Sequence, residues 1–268
     1  MYAKSGEDQT TEPLYGVAET SFCAIAQGSK EVYLGEDRFQ YDPYHYLLAT
    51  AEIPVIGRVR EASESKPYLA LRLALDPTLV GSVLIELGQS AATSDDDVKA
   101  LTVGSLDAPL LEVVVRLVRL IEAPAEERLL APSIIKELVI RLLLGPQRHK
   151  LVQMTALGGQ DHRIGRAIGI IRKRFNKPLP IEDLARQVGI SVSGFHNHFK
   201  QVTSMSPLQF QKRLRLQEAR RLLLGGEFDA ASVGFRVGYE DPSQFNREYK
   251  RMFGVPPMQD AKRLRAPA

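Results

Sequence analysis

Apolar residues recur at every second position early in the chain and at every third or fourth position later. Short β-rich runs predict strands at 22–27, 31–34, 38–41, 45–51, 57–62 and 68–75. Turn signals stand between them, among them Gly28-Ser29, Gly35-Glu36-Asp37, Asp42-Pro43 and Lys66-Pro67. The clearest alternation is "YLALRLAL" at 68–75. Leu69, Leu71, Leu73 and Leu75 share one face, while Tyr68, Ala70, Arg72 and Ala74 share the other. Many short strands at regular spacing predict a small sandwich or barrel. Past about residue 78 the period becomes helical. "APLLEVVVRLVRLIEAP" (108–124) and "PSIIKELVIRLLLG" (132–145) both carry apolar stripes, the second with Pro132 expected at its first turn and Gly145 as its stop. Each stripe suits either a packed core or a dimer interface. "ALGGQDH" (156–162) is the expected domain boundary.

From His162 onward every segment reads as helix. Ile164, Ala167, Ile168, Ile171 and Phe175 form one face of the first. Then a pattern repeats. "RQVGISVSGFHNHFKQVTSMSP" (186–207) and "RVGYEDPSQFNREYKRMFGVPP" (236–257) share a glycine turn, a polar stretch, two spaced aromatics and a closing proline. A short helix, a glycine turn and a second helix with one polar face make a helix-turn-helix. In the first copy Leu184, Ala185 and Val188 supply packing, Ser191 an N-cap, and Phe195, Phe199 and Val202 the anchors. In the second, Val233, Gly234 and Val237 pack, and Phe245, Tyr249 and Phe253 anchor.

That leaves Ser193, His196 and Asn197 facing out in the first copy, and Ser243, Gln244, Asn246 and Arg247 in the second. These side chains suit base edges in a major groove, and Lys200, Lys250 and Arg251 suit phosphates. The charge distribution agrees. Residues 1–160 hold 15 Lys/Arg against 22 Asp/Glu, and residues 161–268 hold 20 against 10. A net of +3 thus conceals an acidic half and a basic half, the latter an electrostatic footprint for a polyanion. The expected partner is double-stranded DNA, read by two helices carried on a rod of about 25 Å.

Residues 165–265 resemble the AraC/XylS family of bacterial transcriptional regulators, above all in "MSPLQFQKRLRLQEARRLLL" and "VGFRVGYEDPSQFNREYKRMFGVPP". "CAIAQGSKEVYLGEDRFQYDPYHYLLATAEIPVIGRV" and "PYLALRLALDP" resemble the cupin-like N-terminal module of one AraC subgroup. The resemblance implies an α+β chain of two domains. Residues 1–160 would be a sensing and dimerising domain, with a cupin-like β-barrel at about 17–90 and a helical connector at about 108–157. Residues 161–268 would be an all-α DNA-binding domain with two helix-turn-helix units. It further implies promoter DNA, a small-molecule effector, a homodimer and RNA polymerase as partners. Family base-reading positions fall on Ser193, His196, Asn197, Ser243, Asn246 and Arg247. Two departures stand out: Gly194 within the first reading helix, and Ser204 where glycine is usual.

In the β half, Arg72 beside Tyr68, with Arg58 on the preceding strand, would suit an anionic or planar polar effector if they line a cavity. The alternative is that both arginines are solvated. A cupin-type enzyme with a DNA-binding tail is the rival reading. It lacks support, because His45 is the only histidine of the β region and no nucleotide-binding or nucleophile-elbow motif occurs. No catalytic residue, metal or cofactor is therefore assigned. Met1 to Glu12 is polar and acidic, no apolar run reaches the ~18 residues of a membrane helix, and Cys23 is the single cysteine. A cytoplasmic protein with no membrane partner is expected.

Overall fold

The computed structural model describes residues 12–88, 99–155, 160–226 and 228–265. The chain divides into two compact units: Met1–Gly165 with Gln201–Ser204, and Arg166–Lys200 with Met205–Ala268. The boundary expected at 156–162 falls partly outside the described residues. Among the described residues no helix is long and apolar enough to cross a membrane.

The first unit begins with seven strands: β1 (Leu14–Ala18), β2 (Ser21–Gln27), β3 (Ser29–Leu34), β4 (Asp37–Tyr41), β5 (His45–Ala49), β6 (Ile53–Glu61) and β7 (Leu69–Ala74). Helix α1 (Pro77–Glu86) and strand β8 (Leu101–Ser105) follow. The strands form two antiparallel four-stranded sheets, in the orders β1-β6-β3-β4 and β7-β2-β5-β8. This corrects the expected barrel: no ladder among the described residues joins the edge strands of one sheet to those of the other, so it does not close. Strands β1 and β8 and helix α1 lie outside the elements the sequence pattern predicts.

Register decides what each face meets. Phe22 stands between Leu48 and Leu73, and Cys23 between Leu47 and Arg72. Phe22, Ala24, Tyr46 and Leu48 face helices and join a core with Val80, Val83, Leu110, Val113, Leu138, Leu142 and Leu151. Gly104 on β8 is required by this packing, because a Cβ there would lie 2.4 Å from the Tyr46 ring. The leucine row of β7 is only partly covered. Leu75 is buried and Leu71 and Leu73 pack against the core, but Leu69 is exposed because β7 is an edge strand.

Helix α2 (Ala108–Arg119) is capped by the Asp107 carboxylate, which accepts from the Leu110 amide at 3.0 Å. A 3-10 turn (Leu120–Glu122) leads into α3 (Pro124–Leu144), and α4 (Arg148–Thr155) follows. Pro132 lies inside α3 and does not start it. The residues before it, "AEERLLA", are strong helix formers, and Leu138, Val139, Leu142 and Leu143 bury the far end, so the helix runs through the missing N–H.

The chain then forms α5 (Gln160–Lys173), α6 (Ile181–Val188), α7 (Val192–Thr203), α8 (Pro207–Gly225), α9 (Ala230–Arg236), α10 (Pro242–Phe253) and α11 (Pro257–Arg265). Only α11 was absent from the sequence reading. At 19 residues α8 is about 28 Å long. Ser206 and Gln209 close a reciprocal capping box at its start. The second unit's core follows the expected anchors Phe195, Phe199, Phe245 and Tyr249, all fully buried, and adds Phe210 of α8.

Candidate nucleic-acid interface

Two equivalent helices present the polar faces. In the first copy Gly189 adopts a left-handed turn (φ 73) and the Ser191 hydroxyl accepts from the Gly194 amide at 3.2 Å, fixing the start of α7. In the second, Gly238 makes the turn (φ 94) and the Asp241 carboxylate accepts from the Ser243 amide at 2.8 Å and the Gln244 amide at 3.2 Å. Ser204, the departure from glycine, stands at φ 54 just past α7, so it occupies a conformation that glycine reaches without strain.

The predicted reading residues are placed unevenly. Ser193 and Asn197 are exposed, and His196 is half-buried with its ring 6.2 Å from Phe195. Ser243, Gln244, Asn246 and Arg247 are all exposed. Two of them are engaged locally: the Asn246 amide donates to the Pro242 carbonyl at 2.9 Å, and Gln244 hydrogen-bonds Glu248. Arg247 reaches solvent with no hydrogen bond or ion pair to the described residues. Lys200, Lys250 and Arg251 are exposed on the same two helices, flanking these positions.

Behind the second face lie two charge clusters with no signal in the sequence pattern, one buried around Asp260 and one half-buried around Glu248. Asp260 is fully buried and accepts from Arg220 Nε at 2.8 Å, Arg263 at 3.0 Å and the Tyr249 hydroxyl at 3.0 Å. Burial alone would raise its pKa, but the hydrogen bonds from Arg220 and Arg263 hold the carboxyl below the usual range. Glu248 is held low in the same way by Lys212, at 2.8 Å, and by the Tyr239 hydroxyl, at 2.8 Å, against the upward pull of burial.

Residues 5–150 match the family described as AraC-type transcriptional regulator N-terminus, and residues 184–263 match a helix-turn-helix domain. The chain belongs to the AraC/XylS regulators. Within that family it is 27% identical over 137 residues to the HTH-type transcriptional regulator ArgR of Pseudomonas aeruginosa, covering 51% of this chain and 42% of ArgR. It is 27% identical over 148 residues to the HTH-type transcriptional activator RhaS of Escherichia coli, covering 55% of this chain and 53% of RhaS. The chain thus spans about half the length of the curated relatives it matches. In fold it is similar to ToxT from Vibrio cholerae, with a TM-score of 0.59 at 10% identity over 97% of this chain and 99% of that one. A ToxT structure described as unsaturated fatty acid bound gives 0.57 at 11% identity, over 97% of each chain.

The first unit of this AraC-type chain carries a second polar cluster. Lys30 and Tyr41 are cross-strand partners and so share a face of one sheet, as Cys23 and Arg72 do in the other. The two faces meet: Cys23 and Arg72 both lie within electrostatic reach of Lys30, and Tyr41 hydrogen-bonds Tyr68. Burial pushes the Lys30 ammonium below the usual lysine range and the Cys23 thiol above its own. Tyr68 is pushed up to about 12, chiefly by burial.

Tyr68 and Arg72 therefore lie together, as the alternation of "YLALRLAL" implied. Arg72 is half-exposed and pairs with Glu19 at 3.0 Å. Arg58 is elsewhere. It is register partner of Glu31, on the side of β3 opposite Lys30, where it lies 6.0 Å from the Tyr33 ring with its Nε buried and unpartnered among the described residues. Lys30 was missed because a strand lysine ordinarily reads as solvated. Its parity with Val32 and Leu34 was the available signal.

Proposed function

We propose that this chain is a ligand-responsive transcriptional regulator that binds double-stranded promoter DNA through α7 and α10 in successive major-groove segments. Residues 161–268 act as the DNA-binding domain and residues 1–160 as the sensing and dimerising domain. The observation that carries this reading is the pair of equivalent polar faces, Ser193/His196/Asn197 with His196 half-buried and Ser243/Gln244/Asn246/Arg247 all exposed, in a half with 20 Lys/Arg against 10 Asp/Glu. Ser, Asn, Gln and Arg read base edges, and Lys200, Lys250 and Arg251 hold phosphates. Binding of the full chain to duplex DNA must then weaken steeply with salt, because each neutralised phosphate releases counterions. Salt-independent binding, or none, would sink this reading.

The effector of the first unit carries a carboxylate or similar anion. Lys30, Arg72, Tyr68 and Tyr41 supply cationic and hydroxyl donors at one place, and the ToxT structure that shares this fold is described as bound to an unsaturated fatty acid. Arg58 is not part of this set. The chain acts as a homodimer in the cytoplasm and meets RNA polymerase at the promoter. Support for dimerisation comes from α2, whose Leu111, Val115 and Val118 form an exposed apolar stripe at i, i+4 and i+7. The far end of α3 is instead packed in the core. The role is regulatory and not catalytic. Stoichiometric metal in the purified protein would favour a cupin-type enzyme instead.

A further inference from the structure

Helix α8 joins the two helix-turn-helix units, and a bare helical rod would leave them free to swivel at its ends. At its far end stand Gly225 and Gly226, the latter at φ 86. A tie between the two helix-turn-helix segments stands at the middle of the rod. Arg215 lies there, and its guanidinium donates from Nε to the Phe175 carbonyl at 2.7 Å, from Nη1 to the Gly238 carbonyl at 2.8 Å and from Nη2 to the Lys177 carbonyl at 3.0 Å. One turn earlier, Gln211 donates to the same Lys177 carbonyl at 2.6 Å.

These carbonyls belong to different halves of the reader. Phe175 and Lys177 lie between α5 and α6, which carry the first helix-turn-helix, whereas Gly238 is the turn of the second helix-turn-helix. The two segments abut directly: a Cβ at Gly238 would fall 2.3 Å from the Asn176 carbonyl oxygen. The guanidinium also lies 5.8 Å from the ring of Tyr239, which follows that turn. A planar fork with five fixed donors satisfies three carbonyls at set angles, which the point charge of a lysine cannot copy.

We propose that Arg215 is a positioning residue that fixes the separation of α7 and α10, and so makes the chain select DNA by the number of base pairs between its two recognition segments. The inference rests on both helices reading one duplex. Each added base pair moves the second segment by about 3.4 Å and turns it by roughly 35°, from a helical turn of 34–36 Å and 10–10.5 base pairs. Hydrogen bonds survive over a window of only about 0.5 Å. A rigid reader therefore loses one segment's contacts outright on a one-base-pair insertion, while a loosened one follows the DNA.

The test uses the full chain and a duplex selected by it from a random library, with one or two base pairs then inserted between the protected segments. The native chain loses about tenfold or more in affinity on insertion, the scale of one lost recognition contact set. Arg215→Lys, shown folded by circular dichroism, binds the parent duplex more weakly but loses less than about twofold on insertion. Arg215→Lys with the native spacing profile overturns the proposal and leaves Arg215 as a support of the fold alone. A native chain that protects a single segment fails the two-helix reading itself, which is seen without any variant. Should Arg215→Lys not fold, spin labels at Asn197→Cys and Arg247→Cys in a Cys23→Ser background report the separation directly. A narrow distance distribution in the free protein supports the clamp, and a broad one overturns it.

Discussion

Gly189 and Gly238 hold the same place in two successive helix-turn-helix units, both in the left-handed region, yet their surroundings differ. A Cβ added at Gly189 would meet nothing within 4 Å, whereas one at Gly238 would lie 2.3 Å from the Asn176 carbonyl oxygen. Gly189→Ala should therefore cost only the left-handed penalty, about 1–2 kcal/mol. Gly238→Ala should cost at least ~3 kcal/mol, because the backbone that carries both units must part. Denaturant unfolding of the two full-length variants measures the gap, and equal losses would contradict the close approach at Gly238.

The buried Asp260 should govern acid stability of the second unit. Asp260→Ala removes the buried acceptor shared by Arg220, Arg263 and the Tyr249 hydroxyl and leaves a void, at a cost of about 3–5 kcal/mol. The sign of the pH effect follows from a carboxyl whose folded pKa is depressed. Its stabilisation is complete above the unfolded aspartate value of about 3.9 and is lost as pH falls through the lower folded value. Unfolding midpoints of the native chain should drop below about pH 4, and Asp260→Asn should flatten that slope. An unchanged slope in the variant would remove Asp260 from the account.

Much of this was legible in the sequence because it is local. A glycine turn between two helices with spaced aromatics is set within about twenty residues, so both units were found with their anchors Phe195, Phe199, Phe245 and Tyr249. Closure of the strands is not local. It depends on which edges pair across the whole first unit, and spacing alone could not separate a barrel from two sheets. Strand β8 was hidden because "LTVGS" is short and isolated among helical segments. Pro132 favours a first turn, but the helix formers upstream of it outweigh that preference and carry α3 through it. Arg58 and Arg72 stand on consecutive strands, but β6 and β7 belong to different sheets and Arg58 faces the side opposite Lys30, away from Arg72.

Lys30 should matter to effector binding where Arg58 does not. With an unsaturated fatty acid such as oleate as probe, Lys30→Met should lower affinity by about tenfold or more, the loss of one charge-assisted contact. Arg58→Ala, on the opposite side of the sheet, should bind as the native chain does. Because burial lowers the Lys30 pKa, binding should weaken as pH rises, below the usual lysine range, and complex formation should take up protons as pH approaches that lowered value. Titration calorimetry in two buffers of different ionisation enthalpy reads both effects. Equal losses in the two variants would move the site away from Lys30.

The α2 stripe should hold the dimer. Val115→Asp places a charge amid Leu111 and Val118 on the exposed face and leaves the buried Leu110, Val113 and Val114 untouched. At tens of micromolar, an order-of-magnitude choice near common dissociation constants, the native chain should sediment as a dimer and the variant as a monomer of unchanged helicity. A variant that remains dimeric would assign the interface to another surface.

Hydroxyl-radical footprinting of the full chain, on a duplex it has itself selected, decides whether one polypeptide reads one duplex with two equivalent helices. Two protected segments are expected on one face, about one helical turn of 10–10.5 base pairs apart. Arg247→Ala should erase sequence preference in only one of them, at about 1–3 kcal/mol, while the other persists. A single protected segment, or equal loss across both when Arg247 alone is changed, would contradict that reading.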